Sequence, residues 1–72
     1  MRVGILGAGA MARTHAAALA RIAGADLAGF GVRAPTAAAI ALGETYGVPV
    51  LAANGLLARA DIDAVVIATP TD

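Results

Sequence analysis

Two glycines one residue apart, Gly7 and Gly9, followed by Ala12, stand in the run "VGILGAGAMARTHAAAL" that covers Val3 to Leu19. The spacing is G-x-G-x-x-A, and the chemistry it suits is holding a pyrophosphate. Gly7 comes directly off an apolar run, where a tight strand-to-helix turn needs a residue free to adopt unusual φ. Gly9 lacks a Cβ, so a phosphate could approach the backbone there, and Ala12 is small enough for a helix to lie close to a strand. The N–H groups of Ala10, Met11 and Ala12, at the start of that helix, would then face the phosphates with the positive end of the helix dipole. The competing reading is a packing turn with no ligand. It accounts for Gly7 and Ala12 and gives no reason for Gly9.

The motif has meaning only inside a strand–turn–helix–strand unit of about 30 residues, and the flanking sequence predicts one. Arg2–Leu6 reads as a buried strand. Residues 10–23 carry Ala12, His15, Ala16, Leu19 and Ile22 at helical steps, with Gly24 as a cap. Asp26–Val32 reads as a second strand weakened by Gly29 and Gly31. A second helix follows in "APTAAAIALGETYG", with Pro35 in its first turn and Gly47 as its stop. Val48–Val50 predicts a short edge strand containing Pro49, Asn54 a cap for a short helix through Arg59, and Asp63–Pro70 a last strand. This alternation implies an α/β fold, a partial Rossmann-type doubly wound sheet of parallel strands in the order 3-2-1-4 with helices on both faces.

In NAD-binding units an acidic residue about 20 residues past the glycines holds the ribose 2′-hydroxyl. No Asp or Glu lies between Asp26 and Glu44. Val32 occupies the expected place and Arg33 follows it, with Thr36 nearby. An arginine without a competing carboxylate suits a 2′-phosphate, so the sequence favours NADP, with NAD as the alternative. Arg33 also reads as an ordinary solvated loop charge.

Composition bounds the remaining possibilities. Seventy-two residues make one small domain, 60% hydrophobic but only 3% aromatic, so the core is expected to be thin. Zero net charge and five scattered arginines, with no lysine, give no footprint for nucleic acid. The absence of cysteine and the single histidine leave no basis for a metal site or a cysteine nucleophile. The longest uncharged stretch, Thr45–Ala58, falls short of the roughly 18 residues of a membrane helix and is broken by Gly47, Pro49 and Gly55. Glycines in the apolar part of "MRVGILGAGAMA" argue against a signal peptide. The expectation is a cytoplasmic protein with a dinucleotide as partner, and no membrane or nucleic acid. His15 and Tyr46 read as packing residues, and Asp61 and Asp63 as solvated turn residues or a cap.

Taken together, "RVGILGAGAMARTHAAAL", "ETYGVPV" and "DIDAVVIATPTD" resemble the N-terminal domain of the glucose–fructose oxidoreductase/inositol dehydrogenase family (Gfo/Idh/MocA), in order along essentially the whole chain. The resemblance implies that the glycine turn binds the cofactor pyrophosphate and that the loop of Ala68, Thr69 and Pro70 lies beside the cofactor. It also implies a parent enzyme moving hydride between a nicotinamide and a sugar, polyol or related carbonyl compound. Many members carry an acid at the end of the second strand, where this chain has "GVRAP". Members also continue into a Glu-Lys-Pro-type segment with a catalytic lysine and then a substrate domain. The expectation is therefore a single incomplete dinucleotide-binding domain over residues 1–72, with no catalytic residue of its own and the catalytic domain absent. A non-catalytic dinucleotide-sensing module and a structural fragment without ligand are the alternatives, and a methyltransferase is more distant. An unpaired last strand would invite association into homo-oligomers.

Overall fold

The computed structural model describes residues 1–68. Its elements alternate as the sequence predicts: β1 (Arg2–Leu6), α1 (Ala10–Leu19), β2 (Asp26–Val32), α2 (Ala37–Tyr46), β3 (Val50–Ala52), α3 (Ala53–Leu57) and β4 (Ala64–Ile67). The strands form one sheet in the order β3-β2-β1-β4, with every neighbouring pair parallel. The order 3-2-1-4 is thus found as expected.

The two faces of the sheet are built differently. On one, Ile5 and Phe30 are fully buried beneath Ala12 and Ala16 of α1 and Leu42 of α2, with Tyr46, Val50 and Val66 packed around them. Alanines at the helix contacts bring α1 close to the strands. Tyr46 packs as expected, its ring tilted 54° to Phe30 at a centroid separation of 6.4 Å. The other face is floored by glycine. A Cβ at Gly4, Gly29 or Gly31 would lie 3.0 to 3.4 Å from side-chain atoms of Leu56, which is itself fully buried. Gly29 and Gly31 therefore do not weaken a strand by accident; they form the socket that seats α3. A register shift between Val3 and Gly4 lets β2 accommodate one extra residue there.

The boundaries depart from expectation where local hydrogen bonds win. The first helix ends at Leu19 rather than Ala23. Arg21 and Ile22 donate instead to Ala18 and Leu19, at three-residue spacing, so the chain tightens and turns away. Ile22 is consequently exposed instead of continuing the buried stripe. The α-amino group of Met1 donates to the Gly24 carbonyl, and Asp26 donates to that of Met1, drawing the turn back to the start of β1.

The second helix begins at Ala37, because the Thr36 hydroxyl accepts the Ala39 N–H as an N-cap and leaves Pro35 outside. It ends at Gly47, whose φ of 65° permits Gly47 and Val48 to donate back to Glu44 and Gly43. Val48 is thereby spent on the helix exit, and β3 starts at Val50. The strand runs straight into α3, so Ala52 and not Asn54 precedes the helix, and no side chain caps it. Residues 69–70 of the expected last strand lie outside the described residues.

Asp61, on a turn, and Asp63 are exposed to solvent, as expected, and both also accept hydrogen bonds. Arg59 donates through Nε and Nη2 to the two carboxylate oxygens of Asp61, at 2.9 and 2.6 Å, and through Nη1 to the Ala28 carbonyl. Arg2 reaches the same carboxylate at 3.1 Å, while its backbone N–H donates to Asp63. This clasp joins β1, β2 and the approach to β4 at the N-terminal end of the sheet.

Two outcomes are expected. Gly→Ala inside a helix ordinarily stabilises by about 0.5–1 kcal/mol. At Gly43 the new Cβ would stand 2.6 Å from Val50 Cγ2 and 2.9 Å from the Val48 carbonyl oxygen. Gly43→Ala should therefore destabilise by about 1–3 kcal/mol. Gly55→Ala, whose nearest neighbour is Leu51 Cβ at 3.8 Å, should be neutral or stabilising. Urea unfolding of the two variants gives the signs directly. Hydrogen bonding from Arg59 holds the Asp61 carboxyl below its ordinary value, with the charge of the same guanidinium acting in the same direction. A depressed folded-state value stabilises above the unfolded value of about 3.9 and is lost as pH falls through the folded one. Thermal unfolding followed from pH 6 downward should show this acid loss in the wild type and a shallower one in Asp61→Asn.

Candidate functional site

At the C-terminal ends of β1 and β2 the chain opens a groove of about 520 Å³, whose lining includes Leu6, Gly7, Gly9, Gly31, Arg33 and Thr36. Ligands of open α/β sheets bind outside the carboxyl ends of the strands, so the groove is where the fold places a site. Gly7 has φ of 115°, a conformation that side chains rarely adopt, and its N–H donates to the Gly31 carbonyl at 2.7 Å. That bond fixes the turn against β2.

Gly9 behaves otherwise. It is the N-cap of α1 with φ of −84° and ψ of −161°, ordinary extended backbone. A Cβ built on it meets no atom within 4 Å. Nothing in the packing of the described residues requires glycine at this position. The open space beside it is the groove itself.

The start of α1 is left without side-chain capping. Among the described residues no side chain caps its first N–H groups, and its first turn holds no acid. Arg13 donates to Gly9, as the first intrahelical bond requires, which leaves the N–H groups of Ala10, Met11 and Ala12 ahead of the helical ladder. The contrast with α2, capped by Thr36, lies within one molecule.

The structure brings Gly7, Gly9, Arg33 and Thr36 to one groove. Ala10 borders an adjoining groove between α1 and α2, and Met11 is largely exposed. Ala12 is fully buried against the sheet and serves packing. The Thr36 hydroxyl already accepts the Ala39 N–H, so toward a ligand it has its proton to offer. Arg33 is exposed and has no ion-pair partner among the described residues. Ala68, at the end of β4, lies in the core and donates its N–H to Leu6, lining neither groove. Thr69 and Pro70 lie outside the described residues. His15 is half-buried and borders neither groove.

Sequence reasoning missed further lining residues of the groove: Leu6, Gly31, Ala34, Ala38 and Ala53. Each stands at the end of a strand or the beginning of a helix, and that rule alone would have found them. Val32, at the position of the expected acid, does line the groove, and no carboxylate among the described residues does. No group of acids, histidines or cysteines suited to a metal occurs among the described residues, and no helix there is long and apolar enough to cross a membrane.

A model of the Gfo/Idh/MocA oxidoreductase family, described as an NAD-binding Rossmann fold, matches residues 1–72. The chain belongs to this family. It is 46% identical over 72 residues to an inositol 2-dehydrogenase of Rhizobium meliloti (strain 1021). The crystal structure of a protein assigned as a myo-inositol dehydrogenase, from Sinorhizobium meliloti 1021, superposes with a TM-score of 0.90 at 46% identity. Both matches cover 100% of this chain and 22% of the relative, so the chain spans about a fifth of the length of these family members. The parallel 3-2-1-4 sheet and the strand–turn–helix unit are those of the family's dinucleotide-binding fold.

Proposed function

We propose that these residues form the dinucleotide-holding part of an oxidoreductase that moves hydride between a nicotinamide and a sugar, polyol or related carbonyl compound. The observation that carries the reading is Gly9: glycine without an internal packing reason, at the mouth of a groove, on a helix start with no side-chain cap. A pyrophosphate approaching this backbone is what the missing Cβ would admit. When bound, the dinucleotide supplies the hydride-accepting or hydride-donating ring. The chain's own residues bind and orient it: Gly7 sets the turn, Gly9 leaves the space, and Ala10 to Ala12 present N–H donors.

Arg33 and Val32 extend the proposal to the cofactor's second phosphate. The family's description names NAD; a preference for NADP rests on a groove that, among the described residues, has no carboxylate and one arginine without an ion pair. Arg33 would pair with the 2′-phosphate, and the Thr36 hydroxyl would donate to it. Turnover is assigned to segments other than residues 1–72, with Ala68, Thr69 and Pro70 beside the cofactor as the resemblance implies.

Fluorescence titration with NADPH and NADH tests both parts. Gly9→Ala should weaken both ligands by more than its effect on stability explains, that effect being the N-cap preference for glycine over alanine, about 1 kcal/mol. Arg33→Ala should weaken NADPH by about ten- to a hundredfold, the worth of a charge-assisted hydrogen bond, and leave NADH unchanged. Equal binding of NADH and NADPH by the wild type would remove Arg33's role, and binding of neither would remove the proposal. The outer edge of β4, with Ile67 72% exposed, is proposed as a pairing edge when these residues are expressed alone. Sedimentation should then show a concentration-dependent dimer that Ile67→Lys abolishes; a monomer at all concentrations would refute the pairing.

A further inference from the structure

A second cationic side chain stands beside the glycine turn. Arg13 borders the groove of about 380 Å³ that contains Ala8, Gly9 and Ala10 on one side and Ala38, Ala41, Leu42 and Thr45 on the other. It also borders the continuation of that groove between α1 and α2, with Thr14, Thr45 and Tyr46. Ala8, Gly9 and Ala38 are shared with the larger groove, so Arg13 and Arg33 flank the glycine turn from its two sides.

The packing leaves this arginine unclaimed. Its neighbour Ala12 is fully buried against the sheet, which turns Arg13 outward, toward α2. Side chains on a helix lean toward its N-terminus, and Arg13 shares its groove with Gly9 and Ala10 at the open start of α1. No carboxylate lines either groove, and Arg13 has no ion pair among the described residues. The Thr14 and Thr45 hydroxyls donate to the Ala10 and Ala41 carbonyls within their own helices, leaving Arg13 as the cationic donor on this side of the turn.

We propose that Arg13 is the charged ligand of the dinucleotide's pyrophosphate, closing over it from the α1–α2 side while the helix N–H groups hold it from below. The inference rests on the dinucleotide reading above. A guanidinium matches two phosphate oxygens at once, and backbone N–H groups carry no net charge to balance the two phosphates. Arg33 reads what distinguishes NADP from NAD; Arg13 reads what they share.

The test is calorimetric titration of the full chain and of Arg13→Gln with NADH, NADPH and ADP-ribose, which has the pyrophosphate but neither nicotinamide nor 2′-phosphate. Arg13→Gln should weaken all three by the same factor, about tenfold, and flatten the salt dependence of binding. Arg13→Lys should recover part of the loss. Circular dichroism of the variants reads folding independently. A loss confined to NADPH would move Arg13 to the 2′-phosphate and overturn the assignment. Unchanged binding by Arg13→Gln, with the wild type binding normally, would overturn it and leave the dinucleotide reading standing. A wild type that binds none of the three would overturn both.

Discussion

The close approach of three segments at Gly31 is the constraint on which the rest depends. A side chain there would stand 2.8 Å from Leu6 Cδ2, 3.0 Å from Leu56 Cδ2 and 3.2 Å from Ala53 Cα. The absence of one lets α3 settle on β2 with Leu56 in its glycine socket. The Gly31 carbonyl, in turn, accepts the Gly7 N–H and sets the turn that opens α1. The same residue also floors the larger groove. One missing Cβ thus couples the packing of the sheet's second face to the shape of the site at its end. A larger residue at position 31 would act on both at once, through α3 and through the turn.

Charge is divided between the two ends of the parallel sheet. At the N-terminal end, Arg2, Arg59 and Asp61 satisfy one another, and Asp63 holds a backbone N–H. These groups are partly exposed, so they act more by fixing where the strands begin than by net stabilisation. At the C-terminal end, Arg13 and Arg33 face grooves without a carboxylate. Asp61 and Asp63 are spent where structure is needed, and among the described residues no acid lines the grooves where an anion would arrive. Zero net charge conceals this arrangement, because it sums over both ends.

Much of this was legible in the sequence, and the part that was not has a physical cause. Alternation of apolar runs and helical spacing gave the strand order, because parallel connections admit few topologies. Asp26–Val32 was found with its bounds intact. Boundaries failed where backbone bonds local to a turn decided them: Ile22 sits in tightened turns, Val48 is consumed by the exit of α2, and Ala52 leads directly into α3. The glycines of β2 read as weakness because propensity counts only the strand, whereas their reason is Leu56, arriving from 25 residues or more along the chain. Asp61 and Asp63 are solvated as read, but their bonds to Arg2 gain meaning only once β1 lies beside β4. For the site, Gly7 and Gly9 were visible by spacing and Val32 by its distance past them; the alanines lining the groove have no signature beyond their place near element ends.

The glycines that make the site also limit the stability of what surrounds it. Each costs roughly 0.5–1 kcal/mol of backbone entropy relative to alanine, and Gly7, Gly9 and Gly31 all lie on the groove. Their summed cost, about 1.5–3 kcal/mol, falls on a core whose largest fully buried side chains are Phe30, Ile5 and Leu56. A ligand that binds only the folded chain returns about 2.7 kcal/mol at a hundredfold excess over its Kd. The two magnitudes match, so a dinucleotide at this turn would offset the entropy of the residues that admit it. At Gly7 and Gly31 that entropy also serves the fold, through φ and through close packing. At Gly9, where no packing demands glycine, the N-cap preference for glycine over alanine offsets part of it, and a ligand admitted by the missing Cβ would offset the rest.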